Sequence, residues 1–395
     1  MKRKISVLLL SLVGITLFFI ACQKDDAVAE VSGLLVKTTP TKINYYEGEE
    51  LELSGLVVTI KWDNGKVEDV KFEDFTIMGI KCLPENGSKL LASTSVNITH
   101  SVTGTSVNQS ITVSKLEVTG LLIKTPPTKL DYYKSDVLDL SGLIVTLTNN
   151  NGSLEEISFT EFESNGIECS PASGTIVTSE LTEVIVKHDD SGVSANQDIN
   201  YVTLTDIDGN IYPLVKVGNQ IWMAEDLRVT KEHDGTAILL VDNEIGWSAL
   251  NANDTDKAYN NGSDGNVYYT YAAAKDACPE GWHLSSRDDW NTLVSFIAAD
   301  GYEYCEGKTL KTITGYREPD DIDDLGTDIY GFSGTPNGCR SRDYSLFGVG
   351  RFGFWWGSET SATEAWRCNL HFNNSRVEYY SYEKNLGFAV RCVKD

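Results

Sequence analysis

The chain contains the stretch Ser54-Gly55-Leu56-Val57-Val58-Thr59-Ile60-Lys61-Trp62-Asp63-Asn64-Gly65, and its pattern indicates the kind of structure that the first half of the chain adopts. From Leu56 to Trp62 every second residue is large and apolar, with Thr59 and Lys61 among the residues between. Alternation with period two is typical of a strand that buries one face in a core. Asn64-Gly65 follows at once, and this pair accepts positive φ at both positions, as a tight hairpin turn needs. The stretch therefore predicts a half-buried strand that turns back into a hairpin.

The same pattern returns without a gap at a constant offset of 87 positions, so that Ser54-Gly55-Leu56 recurs as Ser141-Gly142-Leu143. The same offset joins Gly33 to Gly120, Tyr45-Tyr46 to Tyr132-Tyr133, Asn64-Gly65 to Asn151-Gly152, Gly79-Ile80 to Gly166-Ile167, and Cys82 to Cys169. So many matches at one offset indicate an internal duplication. Short strands with turn signals at this module length favour all-β sandwiches, which we expect over residues 31–115 and 116–202.

The two modules resemble the bacterial immunoglobulin-like domains of surface proteins through their Tyr-x-x-Gly, Leu-Ser-Gly-Leu and Asn-Gly marks. One mark is lost in the second copy, which has Lys134-Ser135 where the first has Glu47-Gly48. The resemblance implies a spacer or stalk, and in some cases adhesion. One cysteine per copy, Cys82 or Cys169, excludes the intradomain disulfide of antibody domains. We expect both cysteines to be small buried residues and not reactive thiols.

The sequence changes character after Val202, because six of the eight tryptophans lie beyond residue 246. Residues 272–277 are rich in helix formers. A second helix is predicted from the capping-box spacing of Ser286 and Asp289. It carries one apolar stripe, formed by Trp290, Leu293, Val294 and Ile297. Residues 203–395 are therefore predicted to form an α+β domain, with helices early and strands and long loops late.

The motifs of residues 203–395 resemble, in order, those of the Fibrobacter succinogenes major paralogous domain. These motifs are Asp208–Tyr212, Val217–Leu227, Tyr268–Ala274, Cys278–Leu284, Asp289-Trp290, Tyr330–Ser333, Trp355–Ser358 and Gly387–Cys392. The resemblance implies no established activity. The pattern is similar to the C-type lectin-like fold, which also includes the formylglycine-generating enzymes. Similarity at the level of the fold does not carry function.

The lectin-like resemblance implies a long-range disulfide between Cys278 and Cys392. For Cys339 and Cys368, a second disulfide stands beside the alternative of two free thiols, and Cys305 is left over in either case. A metal site is not supported, because no Cys-x-x-Cys or His-x-x-x-His spacing occurs.

An enzyme of the formylglycine-generating type is the rival hypothesis for this domain. Cys339 and Cys368 would be its reactive cysteines, because Arg340 and Arg367 stand beside them and arginine favours the thiolate. Neighbours in sequence often point apart, however, so we favour a structural bond and predict that the chain is not an enzyme.

Two candidate ligand sites follow from residue type. Glu318, Asp320, Asp321 and Asp323 place carboxylates in one loop, where they could bind calcium, which takes six to eight oxygen ligands. A solvated acidic loop is the alternative. Tyr380 and Tyr382 would share one face of a strand and point away from Tyr379, so they could stack on a sugar or else pack in the core.

The N-terminus predicts export and lipidation. A basic start, Met1-Lys2-Arg3-Lys4, precedes an apolar run that ends in Phe19-Ile20-Ala21-Cys22, which is typical of a signal peptide over residues 1–21. The last four residues resemble the lipobox of bacterial lipoproteins, which implies a lipid on Cys22. Residues 22–30 would form a linker, and the lysine and acids of residues 23–26 resemble a surface-export signal.

The formal net charge of −24 makes binding to nucleic acid improbable, because such a surface repels phosphates. The sequence as a whole predicts a cell-surface lipoprotein of the outer membrane that displays a lectin-like head on immunoglobulin-like spacers. Its expected partners are the membrane, through the lipid, and a glycan or a surface protein. An enzyme, or a structural component associated with fimbriae, is the alternative.

Overall fold

A computed structural model describes residues 29–92, 95–263 and 265–395. Within these ranges the chain is mostly β-sheet with few helices. It divides into two compact units between Glu117 and Val118. No helix in the described ranges combines the length and the apolar character that crossing a bilayer requires. The signal peptide, the lipid site at Cys22 and most of the linker lie outside the described residues.

The first unit is a sandwich of two antiparallel sheets, ordered β1-β3-β4 and β5-β6-β7, with a parallel pair of β2 and β8. Its strands are β1 (Val31–Thr38), β2 (Asn44–Tyr46), β3 (Val57–Trp62), β4 (Val67–Lys71), β5 (Ile80–Leu83), β6 (Ser95–His100), β7 (Ser106–Ser110) and β8 (Thr112–Ser114). Val58 and Ile60 of β3 share one buried core with Val96 and Ile98 of β6. The predicted alternation on β3 is therefore confirmed, and its apolar face fills the sandwich.

The second repeat has the same topology, with sheets β9-β11-β12 and β13-β14-β15 and a parallel pair of β10 and β16. Its strands are β9 (Val118–Thr125), β10 (Asp131–Tyr132), β11 (Ile144–Asn149), β12 (Leu154–Ser158), β13 (Ile167–Ser170), β14 (Glu183–His188), β15 (Ser194–Asp198) and β16 (Asn200–Tyr201). Leu143, Val145 and Leu147 are buried in its core, as their counterparts are in the first repeat.

The repeated tyrosine and glycine have the same structural role in both copies. The hydroxyl of buried Tyr45 lies 2.9 and 3.0 Å from the carbonyl oxygens of Lys42 and Glu52, and Tyr132 makes the equivalent contacts. Gly55 has φ +82°, and a Cβ there would meet Thr41 Cγ2 at 2.9 Å. Only glycine combines that backbone conformation with such a close approach, which explains why Ser-Gly-Leu recurs.

The predicted tight hairpin turn at Asn64-Gly65 is present, but the expectation of positive φ at both positions is wrong. The amide of Trp62 donates to the carbonyl of Lys66 at 2.9 Å, so the loop contains three residues. Within this described turn, positive φ occurs at Gly65 and not at Asn64. A three-residue loop that closes with a left-handed glycine is the next most common way to join two such strands, and Asn-Gly serves it equally well.

The carboxy-terminal region contains thirteen strands and four α-helices among the described residues. The strands are β17 (Thr203–Thr205), β18 (Ile211–Val217), β19 (Gln220–Met223), β20 (Leu239–Leu240), β21 (Ala258–Asn261), β22 (Val267–Tyr269), β23 (Trp282–Leu284), β24 (Cys339–Arg340), β25 (Leu346–Phe347), β26 (Phe352–Glu359), β27 (Glu364–His371), β28 (Val377–Glu383) and β29 (Cys392–Lys394). The helices are α1 (Glu244–Ser248), α2 (Tyr271–Ala277), α3 (Arg287–Ile297) and α4 (Glu306–Leu310).

Both predicted helices are confirmed, as α2 and α3. Ser286 caps α3, and its side chain exchanges hydrogen bonds with Asp289 in a capping box. Trp290, Leu293 and Ile297 of the predicted stripe are buried, whereas Val294 is half-buried. The sheet β17-β18-β19-β29-β23 joins the two ends of the region, because β29 lies between β19 and β23.

Lys134 and Ser135, which replace the mark in the second repeat, contact the carboxy-terminal region. The amide of Lys134 donates to the carbonyl of Leu214 at 2.8 Å, and its ammonium bonds to Ser333. Ser135 keeps a positive φ of 68°, close to that of Gly48 at the matching position in the first repeat. A Cβ added to Gly331 would fall 2.3 Å from Ser135 Oγ. The turn therefore keeps its shape but acquires side chains that bind the neighbouring region.

Candidate functional site

The candidate site lies on one face of the antiparallel sheet β26-β27-β28. Side chains alternate along a strand, so Arg367 and Asn369 of β27 point to one face while Cys368 and Leu370 point to the other. Cys368 and Leu370 are buried in the core that surrounds Trp355. The opposite face is open, and its side chains line a cavity of about 460 Å³ that we call the tyrosine pocket. Its lining residues are Cys339, Ser341, Phe347, Phe352, Phe354, Arg367, Asn369, His371, Glu378, Tyr380, Tyr382, Leu386 and Phe388.

Arg367 is the positive charge of the tyrosine pocket, and it is only 6% exposed. Its guanidinium carbon lies 3.8 Å from the ring centroid of Phe354 and 3.9 Å from that of Tyr382. Burial lowers the pKa of Arg367, but arginine keeps its proton in proteins. The Nε atom is buried and has no hydrogen-bond partner among the described residues. The guanidinium is thus packed against aromatic rings while its Nε donor is left unused.

Asn369 and Glu378 form the polar floor of the tyrosine pocket, opposite each other on β27 and β28. Asn369 Nδ2 donates to Glu378 Oε2 at 2.7 Å, and Asn374 Nδ2 donates to Glu378 Oε1 at 2.8 Å. Both carboxylate oxygens therefore already accept hydrogen bonds. Asn369 Oδ1 is buried and has no partner within the part of the chain that the structure describes.

Tyr380 and Tyr382 share the pocket face of β28, whereas Tyr379 packs against the core on the other side, as predicted. Tyr380 is 44% exposed and Tyr382 is 37% exposed, so each offers part of its ring to solvent. The Glu378 carboxylate raises the pKa of Tyr380. Burial lowers the pKa of His371, so this neighbour is uncharged at neutral pH.

Another cavity, of about 380 Å³, lies in the first repeat beside Phe72, Phe75 and Cys82. None of its described lining residues has a buried polar atom without a partner. Sites for small ligands combine apolar walls with a few convergent polar groups. That combination is present in the tyrosine pocket, which we therefore take as the candidate site.

The structure contains the predicted disulfide between Cys278 and Cys392. Cys278 follows α2 and Cys392 begins β29, so the bond ties the early helix to the last strand. Both cysteines lie in the same buried core. The bond is part of the scaffold behind the site.

The proposed second disulfide is wrong, because Cys339 and Cys368 are both free thiols. Cys339 lines the tyrosine pocket, whereas Cys368 points to the opposite face of β27. Alternation along the strand places Arg367, and not Cys368, on the side of Cys339. A bond would have to pass through the sheet.

The thiols give the enzyme hypothesis no support. Burial raises the pKa of Cys339 to about 11, and Arg367 only partly offsets this effect. Burial also raises the pKa of the Cys368 thiol. Thiols with a raised pKa are protonated at neutral pH and are poor nucleophiles. Burial raises the pKa of Cys82 and Cys169 to about 11 as well.

The acidic loop does not assemble the predicted calcium site. Glu318, Asp320, Asp321 and Asp323 are all exposed. Asp320 exchanges hydrogen bonds with the side chain of Asn373, and Asp321 accepts from the amide of Asp323. Among the described residues no group of three or more His, Cys, Asp or Glu side chains is placed to hold a metal ion. Asp321 caps a helical turn and Asp320 pairs with a distant asparagine, so the carboxylates do not converge.

Sequence reasoning found Tyr380 and Tyr382 but missed the residues that complete the pocket. A signal for them is present, because Arg367-x-Asn369-x-His371 has the same period of two as the tyrosines of the next strand. Phe352 and Phe354 repeat that spacing on β26. The period of two does not show which strands are neighbours in the sheet.

Comparison with known proteins places two family models on the chain. Residues 215–394 match the Fibrobacter succinogenes major domain, and residues 38–83 match a bacterial Ig-like domain of group 3. The resemblance to the Fibrobacter domain is therefore confirmed, and the immunoglobulin-like resemblance is confirmed for the first repeat. The chain is also similar to a pectate lyase L of Thermoclostridium stercorarium, at 24% identity over 193 residues. That match covers 45% of this chain and 15% of the enzyme, so the chain spans only a small part of its relative.

Proposed function

We propose that this protein is a lipid-anchored protein of the outer membrane that binds glycans at the cell surface. In this proposal the carboxy-terminal domain has a C-type lectin-like fold and binds its ligand in the tyrosine pocket, while the two repeats act as spacers. The family matches support an extracellular setting, because they pair a bacterial Ig-like domain with a Fibrobacter succinogenes major domain.

One observation carries the proposal. The tyrosine pocket joins two partly exposed tyrosine rings to buried polar atoms, on Arg367 and Asn369, that lack partners among the described residues. A sugar ring matches both features, because its C–H faces pack on aromatic rings and its hydroxyls donate and accept hydrogen bonds. A purely structural face would be expected to satisfy its buried polar atoms internally.

The proposal is tested with purified full-length protein on a glycan array, followed by titration calorimetry of the best ligands. Changing both Tyr380→Ala and Tyr382→Ala should weaken binding at least about tenfold, because each ring loses its stacking contact. Tyr382→Phe should retain most of the affinity if the ring and not the hydroxyl makes the contact.

Tyr304→Asn is the matched control. Tyr304 is 57% exposed and does not line the pocket, and its φ of 69° suits asparagine. Binding should be unchanged in this variant. Absence of any glycan ligand at micromolar concentrations, or equal loss in the control, would contradict the proposal.

A further inference from the structure

We infer that the tyrosine pocket selects a saccharide that carries a carboxylate, such as a uronic acid, and that Arg367 recognises the carboxylate. This inference rests on the proposed function and specifies its ligand class. Its starting point is the state of Arg367, a cation buried to 6% exposure with an unpartnered donor.

Comparison with the other buried arginines shows how the surroundings of Arg367 differ from theirs. The described residues include three such side chains, Arg340, Arg367 and Arg391. Arg391 forms an ion pair with Asp226 at 2.7 Å. Arg340 donates to Asn260 Oδ1 at 2.9 Å and to the carbonyl of Tyr344 at 2.6 Å. Neither Arg340 nor Arg367 has a carboxylate partner among the described ion pairs, but of the three only Arg367 also has a buried donor without a hydrogen-bond partner. A buried charge that lacks both is costly to the fold.

The one carboxylate that lines the pocket does not fill this role. Glu378 is not within ion-pair distance of Arg367 in the described structure, and both of its oxygens accept from the amides of Asn369 and Asn374. These hydrogen bonds fix the orientation of Asn369, so that its Oδ1 is the atom left over. The pocket therefore lacks an anion beside Arg367 and a donor beside Asn369.

The geometry of Arg367 favours a carboxylate in particular. The rings of Phe354 and Tyr382 lie 3.8 and 3.9 Å from its guanidinium carbon, so a ligand would be received at the N–H edge of the guanidinium. The N–H groups at that edge form a planar fork that matches the two oxygens of a carboxylate. A carboxylated sugar offers that group together with ring hydroxyls for Asn369 and a C–H face for Tyr380. An acidic peptide supplies the carboxylate but not the face.

The formal charge of −24 works against an acidic ligand at long range. The selectivity that we infer is therefore local, and it depends on direct contact with one buried cation.

Matched ligands test the inference on the unmodified full-length protein. Oligogalacturonides, the same oligomers as methyl esters, and neutral galactose oligomers are compared by calorimetry. A charged hydrogen bond should make the acid bind about tenfold or more tightly than its ester. The inference is overturned if the acid, the ester and the neutral oligomers bind equally well. If that binding is still lost in the Tyr380→Ala/Tyr382→Ala variant, the proposed function is unaffected. Binding of glutamate-rich peptides with no saccharide binding overturns both.

Variants of Arg367 add a second readout. Arg367→Met should abolish the preference for the acid over the ester. It should also raise the melting temperature of the unliganded protein, because a hydrophobic side chain of similar size replaces an uncompensated charge. Arg367→Lys should keep part of the preference, since it keeps the charge without the planar fork. A lowered melting temperature for Arg367→Met, with the preference for the acid intact, would show that Arg367 serves only the fold.

Discussion

Asp226 Oδ1 accepts a hydrogen bond from Arg391 Nε at 2.7 Å, although the two residues are 165 positions apart in the chain. The same oxygen accepts from Trp355 Nε1 at 2.7 Å. All three residues belong to motifs of the Fibrobacter succinogenes major domain. These motif residues thus form one buried network that holds the domain together, and they lie apart from the tyrosine pocket.

Asp226→Asn should destabilise the domain by about 3–5 kcal/mol, because it leaves the buried Arg391 without its counter-charge. Urea unfolding followed by tryptophan fluorescence measures this change, since seven of the eight tryptophans lie between residues 222 and 366. Glu225→Gln is the control. It breaks an exposed pair with Arg228, whose side chain is 40% exposed, and should cost less than about 1 kcal/mol. Similar unfolding midpoints for the two variants would refute the assignment.

Reduction of the Cys278–Cys392 disulfide should lower the stability of the domain by about 2–4 kcal/mol. The bond closes a segment of 114 residues, and a long closed loop restricts the unfolded chain strongly. The measurement compares urea midpoints with and without a thiol reductant. The Cys278→Ser/Cys392→Ser double variant should unfold at the reduced midpoint in both conditions. A reductant effect that persists in this variant would point to another bond.

The pair of contacts at His283 predicts a small loss of stability above about pH 6.5. His283 Nδ1 lies 2.7 Å from Asp395, and Nε2 lies 3.0 Å from Asp289. Burial alone would lower the pKa of His283, but the two carboxylates outweigh it and raise the pKa. Because the folded state holds the proton more tightly, this contribution is complete below the unfolded pKa near 6.5 and disappears as the pH rises through the folded value.

His283→Gln should flatten that pH dependence, as measured by melting temperatures between pH 5 and pH 9. The effect should stay below about 1 kcal/mol, because the His283 side chain is 42% exposed and solvent screens the pair. The contribution of Asp289 to stability has the opposite pH dependence. Burial would raise its pKa, yet hydrogen bonds from Ser286 and His283 lower it overall, so its contribution is lost as the pH falls through that lowered value. A slope that survives in His283→Gln would exclude His283 as its source.

Cys22→Ala should release the protein from membranes or leave it as an uncleaved precursor. Several acyl chains hold a protein firmly at a bilayer, and the variant would lose all of them. Fractionation of cells, with protease treatment of intact cells to test surface exposure, measures the outcome. Cys305→Ala, which removes a free cysteine far along the chain, should leave the distribution unchanged. Membrane retention of a Cys22→Ala protein that is processed to the same mature length as the unmodified protein would end the lipoprotein proposal.

Local patterns were sufficient for much of the fold. The alternation on β3 and β11 and the capping box of α3 depend on neighbours within a few residues, so the sequence predicts them directly. The turn at Asn64-Gly65 was predicted in place but not in type, because two loop lengths use the same residues. Comparison of the repeats showed that Lys134-Ser135 departs from the repeated mark, but only the folded chain shows that Lys134 contacts the carboxy-terminal region.

The site depended on contacts that are distant in sequence. Tyr380 and Tyr382 were predicted to share a face, but Phe354 and Arg367 join them only because β26, β27 and β28 pair side by side. The same pairing separates Cys339 from Cys368, and so removes a disulfide that cysteine counting had allowed.

The duplication, the two helices and the matches to two domain families could be predicted from the sequence, because short-range periodicity and ordered motifs encode them. Which polar groups are buried, and which of them lack partners, follows from the packing of the folded chain. Burial is a property of the packed chain, and Arg367 differs from Arg391 in what surrounds it and not in its neighbours along the sequence.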